Sequence, residues 1–369
     1  MQFKNALAAT VSIVALLGTT FTSMAQADLT ALYEAAKAEG KLTTIALPHD
    51  WCGYGKVIET FKAKYPGITV NELNPDAGSA DEIEAIKANI GNTGDQAPDV
   101  VDVGLSFGPS GKAENLYQAY KVSTWDSIPA EAKDADGFWY GDYYGVMSFL
   151  VNTDIVTKVP QSWAELKASD YANAFALAGD PRASNQAIQA VYAAGRSGGA
   201  TDPVEAAKAG LEFFKELNSA GNFVPVIGKA ASVAQGTTPI VAAWDYNVLA
   251  WRDGFAGNPA AEVVVPSDSV VAGVYVQAIS AHAPHPNAAK LWMEFLYSDE
   301  GQLLWLEGYC HPIRFNDLAA NGKIPQDLLD KLPNPDLYAK AVFPSIDEQN
   351  AAKAEITANW DAVVGANVE

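Results

Sequence analysis

The chain has 369 residues, a formal charge of −20 at pH 7, 18% charged residues and 10% aromatics. That length leaves room for roughly two ordinary domains. The acidic balance excludes nucleic acid and anionic membrane surfaces as partners; it does not identify a ligand, because acidity also serves solubility and a cleft can differ in sign from the surface around it.

Lys4, the apolar stretch Ala6 to Gly18 and the Ala25-Gln26-Ala27 step before Asp28 read as an export leader over residues 1–27. The apolar stretch is too short and Ala-rich to span a bilayer, and no later run reaches about 18 uninterrupted apolar residues. No Cys stands at the cleavage point, so no lipid anchor is expected. The mature product is expected to be soluble and periplasmic. Cys52 and Cys310 are an even pair in an oxidising compartment, which permits a disulfide. Two separately buried thiols remain the alternative, because sequence carries no distance.

Leu29 to Glu39 reads as a helix stopped by Gly40. Apolar strands at Leu42–Leu47, Ile68–Leu73 and Val100–Val103 alternate with helices at Lys56–Tyr65 and Ser79–Ile90. This βαβαβ order predicts a parallel sheet with right-handed crossovers. Ligands gather beyond the carboxyl ends of such strands, here His49–Tyr54, Asn74–Ser79 and Gly104–Ser110. An irregular region, Leu116 to Gly141, leads to Tyr143-Tyr144-Gly145 and a strand over Val146–Asn152. A second α/β unit follows: Phe175–Leu177, a helix from Ser184, a long helix over Pro203–Asn218, and a strand over Ile240–Ala243 ending at Trp244-Asp245-Tyr246. A strand over Val270–Ile279 precedes His282 to Gln302, HAPHPNAAKLWMEFLYSDEGQ, where Ala288, Leu291, Trp292, Phe295 and Leu296 line one helical face. Helices from about Asp327 finish the chain.

Two segments carry a resemblance: Val146–Asn152 continuing into Asn152-Thr153-Asp154 and Val159-Pro160-Gln161-Ser162-Trp163, and the His282–Gln302 stretch behind its apolar strand. Both are similar to the segments where the chain passes between lobes in periplasmic substrate-binding proteins of ABC importers. The similarity is to extracellular solute-binding family 1, which serves iron, thiamine, polyamines, phosphonates and sugar phosphates. The resemblance implies a type II, two-lobed α/β fold with parallel-dominated sheets flanked by helices and a ligand cleft between lobes. It puts residues 28–151 and 270–308 in the first lobe, and 152–269 and 309–369 in the second. It further implies a monomer that does no covalent chemistry and hands a solute to an ABC permease of two membrane subunits with cytoplasmic ATPases.

The candidate ligand contacts lie at the strand ends. Asp50, Trp51 and Tyr54 follow the first strand, and Trp244, Asp245 and Tyr246 follow a later one. Trp and Tyr give an apolar wall with a polar tip, and with a carboxylate they suit an ammonium. Ser79 opens a helix whose N-terminus suits an anion, though a plain helix cap explains it as well. Arg182 suits an anion or neighbouring surface acids. Gly104-Leu105-Ser106-Phe107-Gly108 matches the nucleophile pattern of serine hydrolases, with His282, His285 and His311 downstream; as part of a binding cleft, the same loop offers Ser106 to a ligand. Gly53-Tyr54-Gly55 lacks the third glycine of a dinucleotide fingerprint, and HExxH, CxxC and P-loop patterns are absent, so no cofactor or metal is expected. The preferred solute is a small polar amine. Anionic solutes (phosphonate, sugar phosphate, carboxylate) come second and ferric iron third, since the paired tyrosines of iron carriers are matched in the second lobe only by Trp244-Asp245-Tyr246. A secreted hydrolase using Ser106 is the least favoured.

Overall fold

The computed structural model describes residues 17–332 and 340–369, with side chains from residue 28. Lys4 and most of the Ala6–Gly18 stretch therefore lie outside it. Helix α1 (Leu17–Glu39) runs through the expected cleavage site and ends at Gly40 in the left-handed region, φ 73°. Strand β1 (Lys41–Ile45), helix α2 (Tyr54–Lys64), strand β2 (Thr69–Leu73), helix α3 (Ser79–Ala88) and strand β3 (Val100–Gly104) follow in the predicted order.

β1 and β2 pair in parallel as a small sheet of their own. β3 touches β1 through Asp99 N donating to Thr43 O (2.8 Å), but its ladder is antiparallel, to strand β10 (Ala272–Ser280). Beyond β3 come helix α4 (Phe107–Ala113), the short strand β4 (Tyr117–Gln118) and strand β5 (Tyr140–Asn152).

β5 organises the molecule. It is longer than the predicted Val146–Asn152 because Tyr143-Tyr144-Gly145 belongs to it. Its first half pairs with β10; its second half pairs with strands β8 (Ile240–Trp244) and β9 (Ala261–Val264). One strand thus serves two halves of the molecule. The return passage lies beside it, Met147 N donating to Val271 O at 2.9 Å. Strands β6 (Phe175–Leu177) and β7 (Phe223–Ile227) continue the second half in parallel, flanked by helices α5 (Asn185–Arg196), α6 (Pro203–Ala220), α7 (Ala230–Gln235) and α8 (Asp245–Gly254). Among the described strands, the parallel ladders are β1–β2 and those of β6 with β7 and β8. The parallel-dominated sheets expected from element order give way wherever the two long crossover strands run against their neighbours.

The His282–Gln302 stretch forms helices α9 (Pro286–Leu296) and α10 (Asp299–Glu307). Glu39 of α1 accepts from Asn287 N and Ala288 N, placing a carboxylate on the first turn of α9, and Ser298 Oγ accepts from Gly301 N at 3.1 Å to start α10. The predicted face, Ala288, Leu291, Trp292, Phe295 and Leu296, is buried, and Phe61 of α2 packs edge-on to Trp292 at 5.1 Å. Cys52 and Cys310 are joined as a disulfide, so the end of this segment is tied to the loop after β1. The chain stays with the first half beyond residue 308: strand β11 (His311–Pro312) pairs with Tyr143 and Tyr144, and Arg314 donates to Tyr297 O and Ser127 Oγ. The final helix, Ile346–Val363, lies against the second half, where Trp360 packs on Phe214 at 5.6 Å.

Candidate functional site

A cavity of about 420 Å³ lies between the two halves. The first half supplies the loop after β1 (Ala46, Pro48, Asp50, Trp51), the start of α3 (Gly78, Ser79, Asp81, Glu82), Asp102 of β3 and Tyr275 of β10. The second supplies the loop after β6 (Asp180, Ser184), Asn185 and Gln186 of α5, Lys229 before α7, and Asn247 and Trp251 of α8. The halves meet across it. Trp251 Nε1 donates to Asp50 Oδ2 (3.2 Å), Lys229 Nζ lies 3.4 Å from Asp76, and Tyr309 OH donates to Asp253.

The cavity wall is built around Asp102. The β3 segment Val-Val-Asp-Val-Gly is wholly buried, so this carboxyl is held away from water. Its Oδ2 accepts from Tyr54 OH (2.8 Å) and Tyr143 OH (2.6 Å), while its Oδ1 has no hydrogen-bond partner among the described residues. Trp51 Nε1 donates to Tyr143 OH at 2.6 Å, and its ring meets Tyr275 and Tyr246 edge-on at 5.3 and 5.4 Å. Glu82 Oε2 accepts from Asp102 N (2.9 Å), and Gln277 Nε2 links Tyr54 OH (2.8 Å) to Asp142 Oδ2 (2.9 Å). Burial pushes Asp102 up to about 7 against the opposing pull of the two phenols. It raises Glu82 and Asp142 well above the carboxylate range, and the nearby Asp102 adds to both shifts.

Of the nine residues singled out from sequence, Asp50, Trp51 and Ser79 line this cavity. Ser79 Oγ accepts from Gly104 N (3.1 Å), and Asp81 Oδ2 caps Gly78 N (2.9 Å), so the α3 terminus already carries a carboxylate. Tyr54 is fully buried against Trp305 at 4.9 Å and reaches the site only through Asp102. Trp244, Asp245 and Tyr246 are each 0% exposed behind the cavity. Asp245 Oδ1 accepts from Val146 N (2.9 Å), and Trp244 N donates to Gln186 Oε1 (2.8 Å).

Arg182 lies outside the lining. Its guanidinium is committed to Asp180 (2.9 Å), Asp361 (3.2 Å) and Asn367 (2.7 Å), which ties the loop after β6 to the C-terminal segment. Ser106 is also outside it, 2% exposed at the start of α4. The glycines of its motif have packing reasons: a Cβ on Gly104 would come within 2.2 Å of the Asn185 side chain, and one on Gly108 within 2.7 Å of Trp139. His285 is engaged with Asp99 at 2.9 Å and His311 stacks on Tyr144 at 4.9 Å, which gives the hydrolase reading no support.

Sequence reading missed Glu82, Asp102, Asn185, Gln186, Lys229, Asn247, Trp251 and Tyr275. The detectable signals were an acid inside the apolar run of β3 and the four-residue step from Asn247 to Trp251, which puts both on one helical face. Nothing local marked the other residues.

The sequence pattern of the bacterial extracellular solute-binding protein family matches residues 95–336. No curated protein sequence matches the chain. Solved structures of similar fold include the periplasmic binding protein AfuA from Actinobacillus pleuropneumoniae with fructose-6-phosphate bound (20% identity, 88% of this chain and 98% of that one, TM-score 0.68). The binding protein AgtB of A. tumefaciens R10 in complex with agropinic acid is similar too (15% identity, 88% and 99%, TM-score 0.68), as is the Atu4243 GABA receptor (14% identity, 88% and 97%, TM-score 0.62). With its type II periplasmic-binding-protein fold, the chain belongs to the bacterial extracellular solute-binding protein family.

Proposed function

We propose that this protein is exported, cleaved after Ala27, and serves as the periplasmic receptor of an ABC importer for a small polar amine. The two lobes close over the solute, and the closed form is what the membrane permease accepts. The supporting observation is the charge of the cavity wall. Asp50, Asp76, Asp81, Glu82, Asp102 and Asp180 line it, against Lys229 as the cation among the described lining residues. Even without the buried Glu82 and Asp102, the other four acids outnumber the lining cation, and a predominantly acidic cleft concentrates cations; Trp51, Trp251 and Tyr275 add aromatic rings suited to an ammonium.

The structural neighbours include one with fructose-6-phosphate bound, one in complex with agropinic acid and a GABA receptor. Their fold therefore does not choose the ligand, and the residues of this cavity must. The anionic alternative is disfavoured where it was expected, because Asp81 already occupies the α3 terminus. Among the described residues, no group of three or more His, Cys, Asp or Glu is placed to hold a metal, which leaves ferric iron without a ligand set of that kind.

A thermal-shift panel on ligand-free mature protein tests the reading. Putrescine, agmatine or ethanolamine should raise the unfolding midpoint, with about 2.7 kcal/mol of stabilisation at a hundredfold excess over Kd. Stabilisation by phosphonates, sugar phosphates, dicarboxylates or Fe(III) alone would overturn it.

A further inference from the structure

The Glu82–Asp102 wall poses a charge problem. Glu82, Asp102 and Asp142 are 1%, 5% and 0% exposed and belong to one hydrogen-bonded network. The titratable groups around Asp102 are Glu82 on α3, Tyr54 on α2, Asp142 and Tyr143 on β5, Tyr275 on β10, Tyr246 on α8 and Tyr297 after α9. All of these are acids or phenols. Lys229, the lining cation, is exposed and faces Asp76. A buried carboxylate with no countercharge costs several kcal/mol and takes up a proton instead.

We infer that the Glu82–Asp102 wall is the subsite for the cationic head of the solute, and that the solute's ammonium enters it in exchange for a proton. The inference rests on the amine reading above. In the empty receptor below about pH 7, Asp102 holds a proton as a neutral acid. When an ammonium arrives, the carboxyl O–H proton leaves to solvent and the carboxylate pairs with the ammonium. The wall gains one negative charge as the ammonium brings one positive charge, so the occupied site has the same net charge as the empty one and binding buries no unbalanced ion. Tyr54 and Tyr143 are positioning residues: both donate to Oδ2 and leave Oδ1 for the ligand, and Trp51 Nε1 holds the Tyr143 phenol in place.

Proton and ammonium compete for the same group, so affinity depends on pH with a definite sign. Asp102 titrates at about 7 in the empty site. Well below that value the site is protonated, and affinity should fall roughly tenfold per pH unit. Above it the carboxylate is already formed and affinity should level off. The ammonium of the solute stays charged throughout, as lysine does below about 10.4.

The test is isothermal titration of the mature protein with the tightest binder among putrescine, agmatine and ethanolamine, in buffers of different ionisation enthalpy. At about pH 6 the apparent enthalpy should vary with the buffer, with a slope near one proton released. At about pH 8.5 the slope should be near zero, and Kd should tighten roughly tenfold between pH 6 and 8. Asp102→Asn should abolish the slope at about pH 6. Tyr143→Phe, which removes a donor that favours the carboxylate, should move the midpoint of the affinity curve upward, and it remains informative if Asp102→Asn fails to fold. Amine binding with buffer-independent enthalpy across this range overturns the exchange and leaves the receptor reading standing. A slope that survives Asp102→Asn overturns the assignment to Asp102. No amine binding at all overturns both.

Discussion

Two clusters of acid and aromatic residues look alike in sequence and have different surroundings in the structure. Asp50 and Trp51 follow β1, which lies in a small sheet apart from the main one, so the loop after it overhangs the cleft. Trp244 ends β8 and Asp245 and Tyr246 follow it; this strand lies between β5 and β6 inside the nine-stranded sheet. The end of β8 runs into the seam of the two crossover strands, where small residues make room for it. A Cβ on Gly273 would fall 2.2 Å from the Trp244 ring, and one on Gly145 would fall 2.5 Å from Asp245 Oδ1. A strand's carboxyl end is therefore a ligand position only where nothing abuts it. In this molecule the interior strand end braces the passage between lobes, and the outlying one faces the solute.

The comparison breaks if the two tryptophans behave alike. Trp244→Ala should produce the larger effect, a loss of about 3–5 kcal/mol in denaturant unfolding, because a fully buried indole leaves a cavity in the crossover seam. A stability change under about 1 kcal/mol, with amine affinity lost, would place Trp244 in the site and reverse the assignment. Trp51→Ala should do the opposite. Kd for the amine probe should rise about tenfold, equal to 1.4 kcal/mol, through loss of a ring from the cavity and of the donor that holds Tyr143. Its unfolding midpoint should move less than that of Trp244→Ala, because Trp51 is only half-buried.

Much of the architecture was legible because it is written in local periodicity. The apolar face of α9, the serine that starts α10, the β1–α2–β2–α3–β3 order and the Val146–Asn152 passage all rest on spacing within a dozen residues. The pairing of β3 with β10 was not legible, since partners about 170 residues apart leave no local mark. The site divided along the same line. Trp51 and Ser79 were found from their place after strands. Asp102 was passed over because it interrupts an apolar strand, although a buried polar residue is the more informative observation. Asn185 and Lys229 join the cavity only across the two halves, and Tyr275 only through the distant pairing of β10 with β3 and β5.

The smallest expected effect concerns Arg182, the guanidinium that sequence alone suggests for an anion. The structure binds it to Asp180, Asp361 and Asn367, and leaves it outside the cavity. Its side chain remains 31% accessible, so solvent screens these pairs and each is worth little. Arg182→Ala should lower stability by no more than about 1 kcal/mol and leave the Kd of the amine probe within about threefold, under 0.7 kcal/mol. The sign of any residual change is informative. Removing this cation leaves Asp180, a lining residue, without its partner, so the cavity becomes more negative and an amine should bind slightly tighter. If an anionic solute bound to wild type and lost affinity in Arg182→Ala by tenfold or more, the guanidinium would have to swing from Asp361 and Asn367 into the cleft. The second lobe would then carry an anion site that this arrangement of its loops does not contain.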